Sequence, residues 1–571
     1  MTGVASEPLV VVEDLTFRYR RATEPAIRDV SLCVDPGEVI LIAGPSGCGK
    51  STLIRAINGL IPHAYPGESS GTVTIEGRLT TELKLREIAR SIGTVLQDPA
   101  KQIVGATVES ELAFGPENLG LPREAIRERI RAVAEHAGIA PLLGRETAAL
   151  SGGERQLLAV GGVLMMQPRL YVVDEPLANL DPATAARLLA VLRALADAGN
   201  AVLIVEHRVE EALDLQPDRV LYLEEGRTRY LGPVDGFLAV ADPRSVKVPF
   251  DVVLERVRTD PTFVPADPGS PSGRNDRDRG GDVADAPPRL EFRGVHASIM
   301  GNPILHGVDA ALGRAEIVAM LGPNGSGKTT AFRTAMHLLP VTEGTVLVDG
   351  DDAAPRTTAE LATVFGYVFQ SPSQMLFART VREELLFGPK NLGHDPASLE
   401  TLLADVLRRT ALDQLEGIVD RPPLSLSFGQ QKRLALAIAL ALQPRTLILD
   451  EPSAGQDHRT AEAFLREVLA IPGLESIYLI THDVDLALTH ADRILLFRDG
   501  RIVADGPPDE VIKDTDRWMG CNLRPTSLMA ANARWGDREQ GFLDAESLAR
   551  LVVARERGAT HGAEGGSVDG S

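Results

Sequence analysis

The stretch GPSGCGKS fills residues 44–51, and GPNGSGKT fills residues 322–329 of the same 571-residue chain. Both fit G-x-x-x-x-G-K-[ST], and both follow a short apolar run, 38–43 and 316–321, that reads as a strand. Gly47, Gly49, Gly325 and Gly327 let backbone N–H groups wrap an anion without side-chain obstruction. The helix expected next turns its positive end toward the same anion. Lys50 and Lys328 supply a cation, and Ser51 and Thr329 supply a hydroxyl suited to a divalent metal. A glycine-rich turn beside a surface lysine is the bland alternative, and the strand context, met twice, argues against it.

The duplication extends well beyond the loops. TVESELAFGPENLG (107–120) matches TVREELLFGPKNLG (380–393) at ten of fourteen positions, and Gly44/Gly322, Gln97/Gln370, Leu150/Leu426, Asp174/Asp450 and His207/His482 recur 273 to 278 residues apart. Such register marks two copies of one unit. In each copy Val/Ile/Leu-rich runs (38–43, 170–173 and 201–205; 316–321, 446–449 and 476–480) alternate with helical stretches. That pattern predicts an α/β fold whose parallel sheet is covered on both faces, with ligands at the carboxyl ends of its strands.

Hydrophobic residues make up 44% and charged residues 24% of the chain, a globular composition, and the net charge of −20 argues against a nucleic-acid partner. No run approaches the roughly 18 apolar residues of a membrane span. The best candidates, LLAVGGVLMM (157–166) and LALAIALAL (434–442), read as buried helices. The first fifteen residues lack the features of a secretory signal. Cys33, Cys48 and Cys521 lack metal-type spacing. These features point to a cytoplasmic location, with any membrane association made through a partner.

Two further motifs carry chemistry. LYVVDEP (170–176) and TLILDEP (446–452) are apolar strands ending in paired acids. Asp174 and Asp450 are placed to hold Mg²⁺, and Glu175 and Glu451 to polarise an attacking water. LSGGE (150–154) and LSFGQ (426–430) lie 24 residues before those acids, with Ser151 and Ser427 as helix caps facing an anion.

Taken in order and twice over, these motifs resemble the ATP-binding cassette ATPases: Walker A, a glutamine loop, an LSGGQ-like signature, Walker B, D-loop and switch histidine. The resemblance covers residues 8–240 and 289–515. It implies two P-loop NTPase domains, each with a RecA-like parallel core, a helical subdomain and an N-terminal antiparallel β portion. It implies ATP and Mg²⁺ as cofactors. Contacts to ATP would come from Tyr19, Gly44, Pro45, Ser46, Gly47, Cys48, Gly49, Lys50, Ser51, Thr52, Ser151, Gly152, Gly153 and Asp181 in the first copy. The second copy would contribute Gly322, Pro323, Asn324, Gly325, Ser326, Gly327, Lys328, Thr329, Thr330, Ser427, Gly429 and Asp457. Glu175, Glu451, His207, His482, Gln97 and Gln370 would act in catalysis, and Ser51, Gln97, Asp174, Thr329, Gln370 and Asp450 would ligate the metal. The resemblance also implies that the halves pair intramolecularly, the signature of one capping the ATP held by the other. Ile299 and His296 stand near the place of Tyr19 in the second copy, and Phe428 replaces a signature glycine. Both copies keep Lys, Asp, Glu and His, so two hydrolytic sites are expected, and alkylation of Cys48 is expected to block ATP binding.

The segments QDPAKQIVGATVESELAFGPENLGLP and QSPSQMLFARTVREELLFGPKNLGHD resemble those of energy-coupling factor and cobalt or nickel importers. That resemblance implies ATPase subunits working at the cytoplasmic membrane face with an integral coupling protein and a substrate-binding membrane protein, for uptake of a vitamin, a vitamin precursor or a metal ion. Of the apolar residues here, Val108, Leu112, Phe114, Val381, Leu385 and Phe387, some are expected in the core and some at a partner groove. The competing readings are a soluble tandem ATPase acting on ribosomes or nucleic acid, as in the ABC-F factors, and a tandem sugar-importer ATPase. Residues 241–288, Gly/Pro/Asp/Arg-rich from 266 onward, read as a flexible linker. Residues 516–571 read as a largely disordered tail with one helix at 544–557, capped by Asp544.

Overall fold

Val39–Ala43 and Ala201–Val205 are apolar throughout and fully buried, as befits central strands of a parallel sheet covered on both faces. The computed structural model describes residues 7–20, 22–178, 180–260, 286–536 and 541–564. It divides into two compact units, Met1–Val252 with Gly455–Arg459, and Val253–Ala454 with Thr460–Ser571.

In the first unit a six-stranded sheet runs in the order Arg227–Gly232, Arg219–Glu224, Val39–Ala43, Ala201–Val205, Leu170–Asp174, Ile92–Val95, parallel except at the Arg227–Gly232 edge. A separate antiparallel sheet joins Ile27–Val34, Val10–Tyr19, Gly67–Ile75 and Arg78–Leu79. The second unit repeats both sheets. Its six strands run Phe365–Val368, Thr446–Asp450, Ser476–Ile480, Ile317–Leu321, Arg493–Arg498, Arg501–Gly506. Asn302–Leu312, Leu290–Ile299, Glu343–Val348 and Asp351–Asp352 form its antiparallel sheet. The two apolar runs expected to be buried helices lie in Gly152–Leu164 and Phe428–Ala441.

Two expectations need correction. The stretch taken as linker begins with packed structure: Ala241, Val246, Val248, Phe250, Val253 and Leu254 are buried, and Phe250–Thr259 is helical. Residues 261–285, which hold most of the polar stretch, lie outside the described residues. The tail is also built. Thr515–Gly520, Ser527–Trp535 and Ala545–Glu564 are helices. Trp518 is fully buried and donates from Nε1 to Val511 O at 2.7 Å. Buried Asn532 donates to Leu528 O and Leu543 O and accepts from Leu543 N–H, satisfying a polar turn in an apolar setting. Arg258 bridges to Glu556 within the same unit. Asp544 does cap the last helix, accepting from Ser547 N–H at 3.0 Å, and that helix runs beyond its expected end at 557. Of the closing dodecapeptide, 565–571 lie outside the described residues.

Candidate nucleotide sites

In both units the central strand ends in the glycine-rich loop, and the following helix starts at the lysine: Lys50–Ile57 and Lys328–Ala335. Gly49 and Gly327 adopt φ of 105° and 104°. A Cβ at Gly49 would meet Ile27 Cγ2 at 2.5 Å and Ala26 O at 2.6 Å, so only glycine lets the loop pass this strand. Gly47 and Gly325 also have positive φ, but nothing lies within 4 Å of an added Cβ, which would project into open space inside the loop. The lysines are nearly buried and curl over their own loops. Lys50 Nζ donates to Gly44 O (2.7 Å) and Pro45 O (2.9 Å), and Lys328 Nζ to Gly322 O (2.7 Å) and Pro323 O (2.9 Å). A concave run of backbone with an open centre and a buried cation fits an oligophosphate.

The strand ends bring the acids to the same loops. Burial, reinforced by the neighbouring Glu175, pushes Asp174 up to about 6, and burial with Glu451 does the same for Asp450. Asp174 Oδ1 is buried without a hydrogen-bond partner. Asp450 is better held, Oδ1 accepting from Thr329 Oγ1 at 3.1 Å and Oδ2 from Tyr367 OH at 2.8 Å. Thr94 stands where the second copy has Tyr367, at the third residue of the matching strand. A hard, oxygen-only donor set with an orphaned carboxylate oxygen fits Mg²⁺.

Glu175 and Glu451 occupy left-handed backbone, φ 48° and 50°, immediately after the strand and before a proline. Holding a non-glycine residue there costs on the order of 1–2 kcal/mol, which the surrounding contacts must offset. Glu175 Oε2 accepts from Gln97 Nε2 at 2.6 Å, and its Oε1 lies 2.9 Å from His207 Nε2. In the second unit His482 presents the other ring nitrogen, Nδ1, 2.8 Å from Glu451 Oε2. Burial pushes both glutamates up, but the adjoining histidines and lysines outweigh it and hold both carboxyls below their ordinary range.

The remaining expected residues divide as follows. Tyr19 OH bonds to Thr52 Oγ1 (3.1 Å) and accepts from Arg55 (2.8 Å), which fixes its half-buried ring beside the loop helix. Ile299 likewise ends its strand and brings no ring. Ser151 and Ser427 are N-caps in reciprocal capping boxes with Glu154 and Gln430, so each hydroxyl accepts from its own helix and keeps a proton to donate. Gly152 and Gly429 open onto free space. Asp181 is buried and caps Pro182–Asp197 through Thr184. Asp457, inside the first compact unit, accepts from Ser46 N–H at 2.9 Å. Gln370 follows its strand at the same interval as Gln97. Cys48 is buried in the loop, its thiol raised by burial despite Lys50. The sequence reading missed Glu206 and Lys432, buried charged residues beside these motifs. Glu206 had a signal, a carboxylate closing the apolar run 201–205, whereas Lys432, set among Gln430, Gln431 and Arg433, had none.

The family model described as ABC transporter matches residues 27–178 and 305–454. The chain belongs to the ABC transporter family. A protein of Methanosarcina acetivorans, provisionally named an ABC transporter ATP-binding protein, is 34% identical over 91% of this chain and 89% of its own length. One from Streptomyces coelicolor with the same provisional name is 36% identical, covering 88% and 95%. Among solved structures, cbiO1 of Clostridium perfringens, titled as part of the transporter complex cbiONQ, is 30% identical. It covers 42% of this chain and 96% of that one, with a TM-score of 0.37. As a tandem ABC protein this chain carries two ATPase domains, which bind and hydrolyse ATP. Among its described residues no helix is long and apolar enough to cross a membrane.

Proposed function

We propose that this ABC ATPase energises an energy-coupling-factor type importer, driving uptake of a vitamin, vitamin precursor or transition-metal ion through an integral coupling protein and a substrate-binding membrane protein at the cytoplasmic face. One observation carries the reading: the two copies expose the same pair of apolar positions just beyond the glutamine loop. Val104 and Phe114 are 64% and 51% exposed, and Phe377 and Phe387 are 67% and 52% exposed with their rings 4.8 Å apart. Their neighbours Val108, Leu112, Val381 and Leu385 are core. The loops bearing Val104 and Phe377 are pinned from below. Glu111 accepts from Val104 and Gly105 N–H at 2.8 and 2.6 Å, and Glu384 from Phe377 and Ala378 N–H at 2.9 and 2.8 Å. Apolar side chains held out to solvent from a pinned loop and from the helix that follows it suit a protein partner.

In this reading Lys50, Ser51, Lys328 and Thr329 hold the phosphates, and Ser51, Gln97 and Asp174, with Thr329, Gln370 and Asp450, hold Mg²⁺. That ion neutralises phosphate charge when bound. Glu175 and Glu451 accept a proton from water, with His207 and His482 keeping them oriented. Ser151 and Ser427 each cap the nucleotide of the other copy. The test is affinity purification of the chain from solubilised membranes. Small polytopic membrane proteins should co-purify, and Phe114→Ser with Phe387→Ser should release them while ATP binding persists. Association with ribosomes, or with no membrane protein, refutes the proposal.

A further inference from the structure

The residues flanking the first switch histidine form a clasp. Glu206 and Arg208 stand on either side of His207 and between them engage both backbone polar groups of Leu177. Leu177 N–H donates to Glu206 Oε1 at 2.7 Å, and Arg208 Nη1 donates to Leu177 O at 3.1 Å. Glu206 Oε2 also accepts from the N–H of His207, at 3.2 Å. Leu177 lies two residues beyond Glu175, in the turn leading toward Asp181. The clasp therefore ties the histidine's segment to the segment of the glutamate it orients.

The second copy achieves register differently. His482 donates its backbone N–H to Glu451 Oε2 at 3.2 Å, the same oxygen that its ring Nδ1 approaches. Ring and backbone thus fix one another on a single carboxylate. His207 has no such arrangement: its ring reaches Glu175 through Nε2, its Nδ1 is buried without a partner, and its backbone N–H goes to Glu206. Thr481 and Asp483 stand where the first copy has Glu206 and Arg208. There Thr481 Oγ1 accepts from Asp483 N–H and Asp483 Oδ1 from Leu486 N–H. Glu206 is 2% exposed. Burial pushes it up to about 8, with Glu175 and Glu211 adding to the rise and Leu177 N–H and Arg208 opposing it. Arg208 is itself shared with Glu211, at 2.9 and 3.1 Å. The carboxyl can serve as a full acceptor at both oxygens only when ionised.

We propose that Glu206, assisted by Arg208, is a positioning residue of the first ATP site, holding His207 against Glu175 through the backbone of Leu177, so that turnover there depends on it while turnover at the second site does not. This rests on the reading of Glu175 as the base and His207 as its partner. The test measures ATP hydrolysis by the full chain carrying Glu451→Gln, so that the first site reports. Glu206→Gln keeps one acceptor for Leu177 but turns an NH₂ toward the N–H of His207. It should lower kcat about tenfold, the scale of one mismatched buried hydrogen bond, with KM for ATP changed by less than about twofold. The rise in kcat as Glu206 ionises near pH 8 should vanish with it. In a Glu175→Gln chain, where the second site reports, Glu206→Gln should leave the rate within about twofold, since no second-site contact is removed.

Should Glu451→Gln silence the chain, the otherwise wild-type background replaces it. There Glu206→Gln should remove about nine-tenths of the first site's share, close to half of all hydrolysis where the two sites turn over equally, and Thr481→Val should remove none. Glu206→Thr, the second copy's own residue, repeats the measurement if the glutamine variant is not recovered folded. Unchanged kcat with the pH rise retained, or equal losses at both sites, overturns the proposal. Undiminished hydrolysis in the Glu175→Gln, Glu451→Gln double variant would instead remove the general-base reading beneath it.

Discussion

Lys432→Met is the most informative single change to the scaffold. Lys432 stands where the first copy has Gln156, within the helix that the signature serine caps. Its amine is buried and donates to Pro452 O at 2.5 Å and Ala454 O at 2.7 Å, in the turn after Glu451. Burial pulls its pKa down to about 7, opposed by Glu451. An unfolded chain keeps lysine near 10.4, so between pH 7 and 10 the unfolded state binds a proton that the folded state releases. Stability must then rise with pH across that window, and below pH 7, where both states are charged, the penalty for burying the ammonium is complete. The limiting slope is about 1.4 kcal/mol per pH unit, and integration from pH 7 to 9 gives about 2 kcal/mol. Methionine removes the linkage and leaves two carbonyls without their donor, at a pH-independent cost of about 1–3 kcal/mol. The stability of wild type relative to the variant should therefore grow by about 2 kcal/mol from pH 7 to 9. Urea unfolding followed by tryptophan emission measures this cleanly, because both tryptophans of the chain, Trp518 and Trp535, belong to the second unit. A difference independent of pH would show that the two carbonyls hold Lys432 charged throughout, and the argument would fail.

Two further outcomes are expected. Glu175→Gln and Glu451→Gln should each lower steady-state ATP hydrolysis, by about 10²–10⁴-fold at the altered site, with ATP binding retained; unaltered turnover in either single variant would show an idle site. Alkylation should modify exposed Cys33 well before Cys48, whose thiol is buried and raised. Mass-resolved labelling should show ATP binding intact after the first equivalent and lost only as Cys48 reacts, and full binding with Cys48 completely modified would refute its place beside the phosphates.

The strand–loop–helix frame was legible because two independent signals agree. Continuous apolar runs such as VILIA (39–43) and AVLIV (201–205) can only be buried, and each ends at a motif whose glycines or acids suit nothing else so well. The packed tail was harder to see. Leu548, Ala549, Val552 and Val553 recur at helical spacing, but Trp518 and Cys521 reach the core from a six-residue helix too short to show any period. The helix Phe250–Thr259 adjoins a polar stretch, and composition averaged over both concealed its buried face. The residues proposed to face a partner were legible only as a class. Phe114 and Leu112 look alike in sequence, yet one is 51% exposed and the other fully buried, because the helix turns them to opposite sides.

What motifs could not reveal is that two matching sets of candidate site residues rest on different supports. Asp450 is held by Tyr367 and Thr329 where Asp174 keeps an orphaned oxygen. Lys432 replaces Gln156, both of whose side-chain amide atoms are buried without partners. Glu206 replaces Thr481. Each difference lies one contact away from a residue present in both copies. After duplication the motif residues keep the same placement in both copies, whereas their supports need only deliver that placement and can do so by different bonds. The two sites should therefore agree in which substitutions abolish hydrolysis and disagree in how their rates respond to pH, since the buried ionisable groups behind them are a carboxyl titrating near 8 in one unit and an amine titrating near 7 in the other.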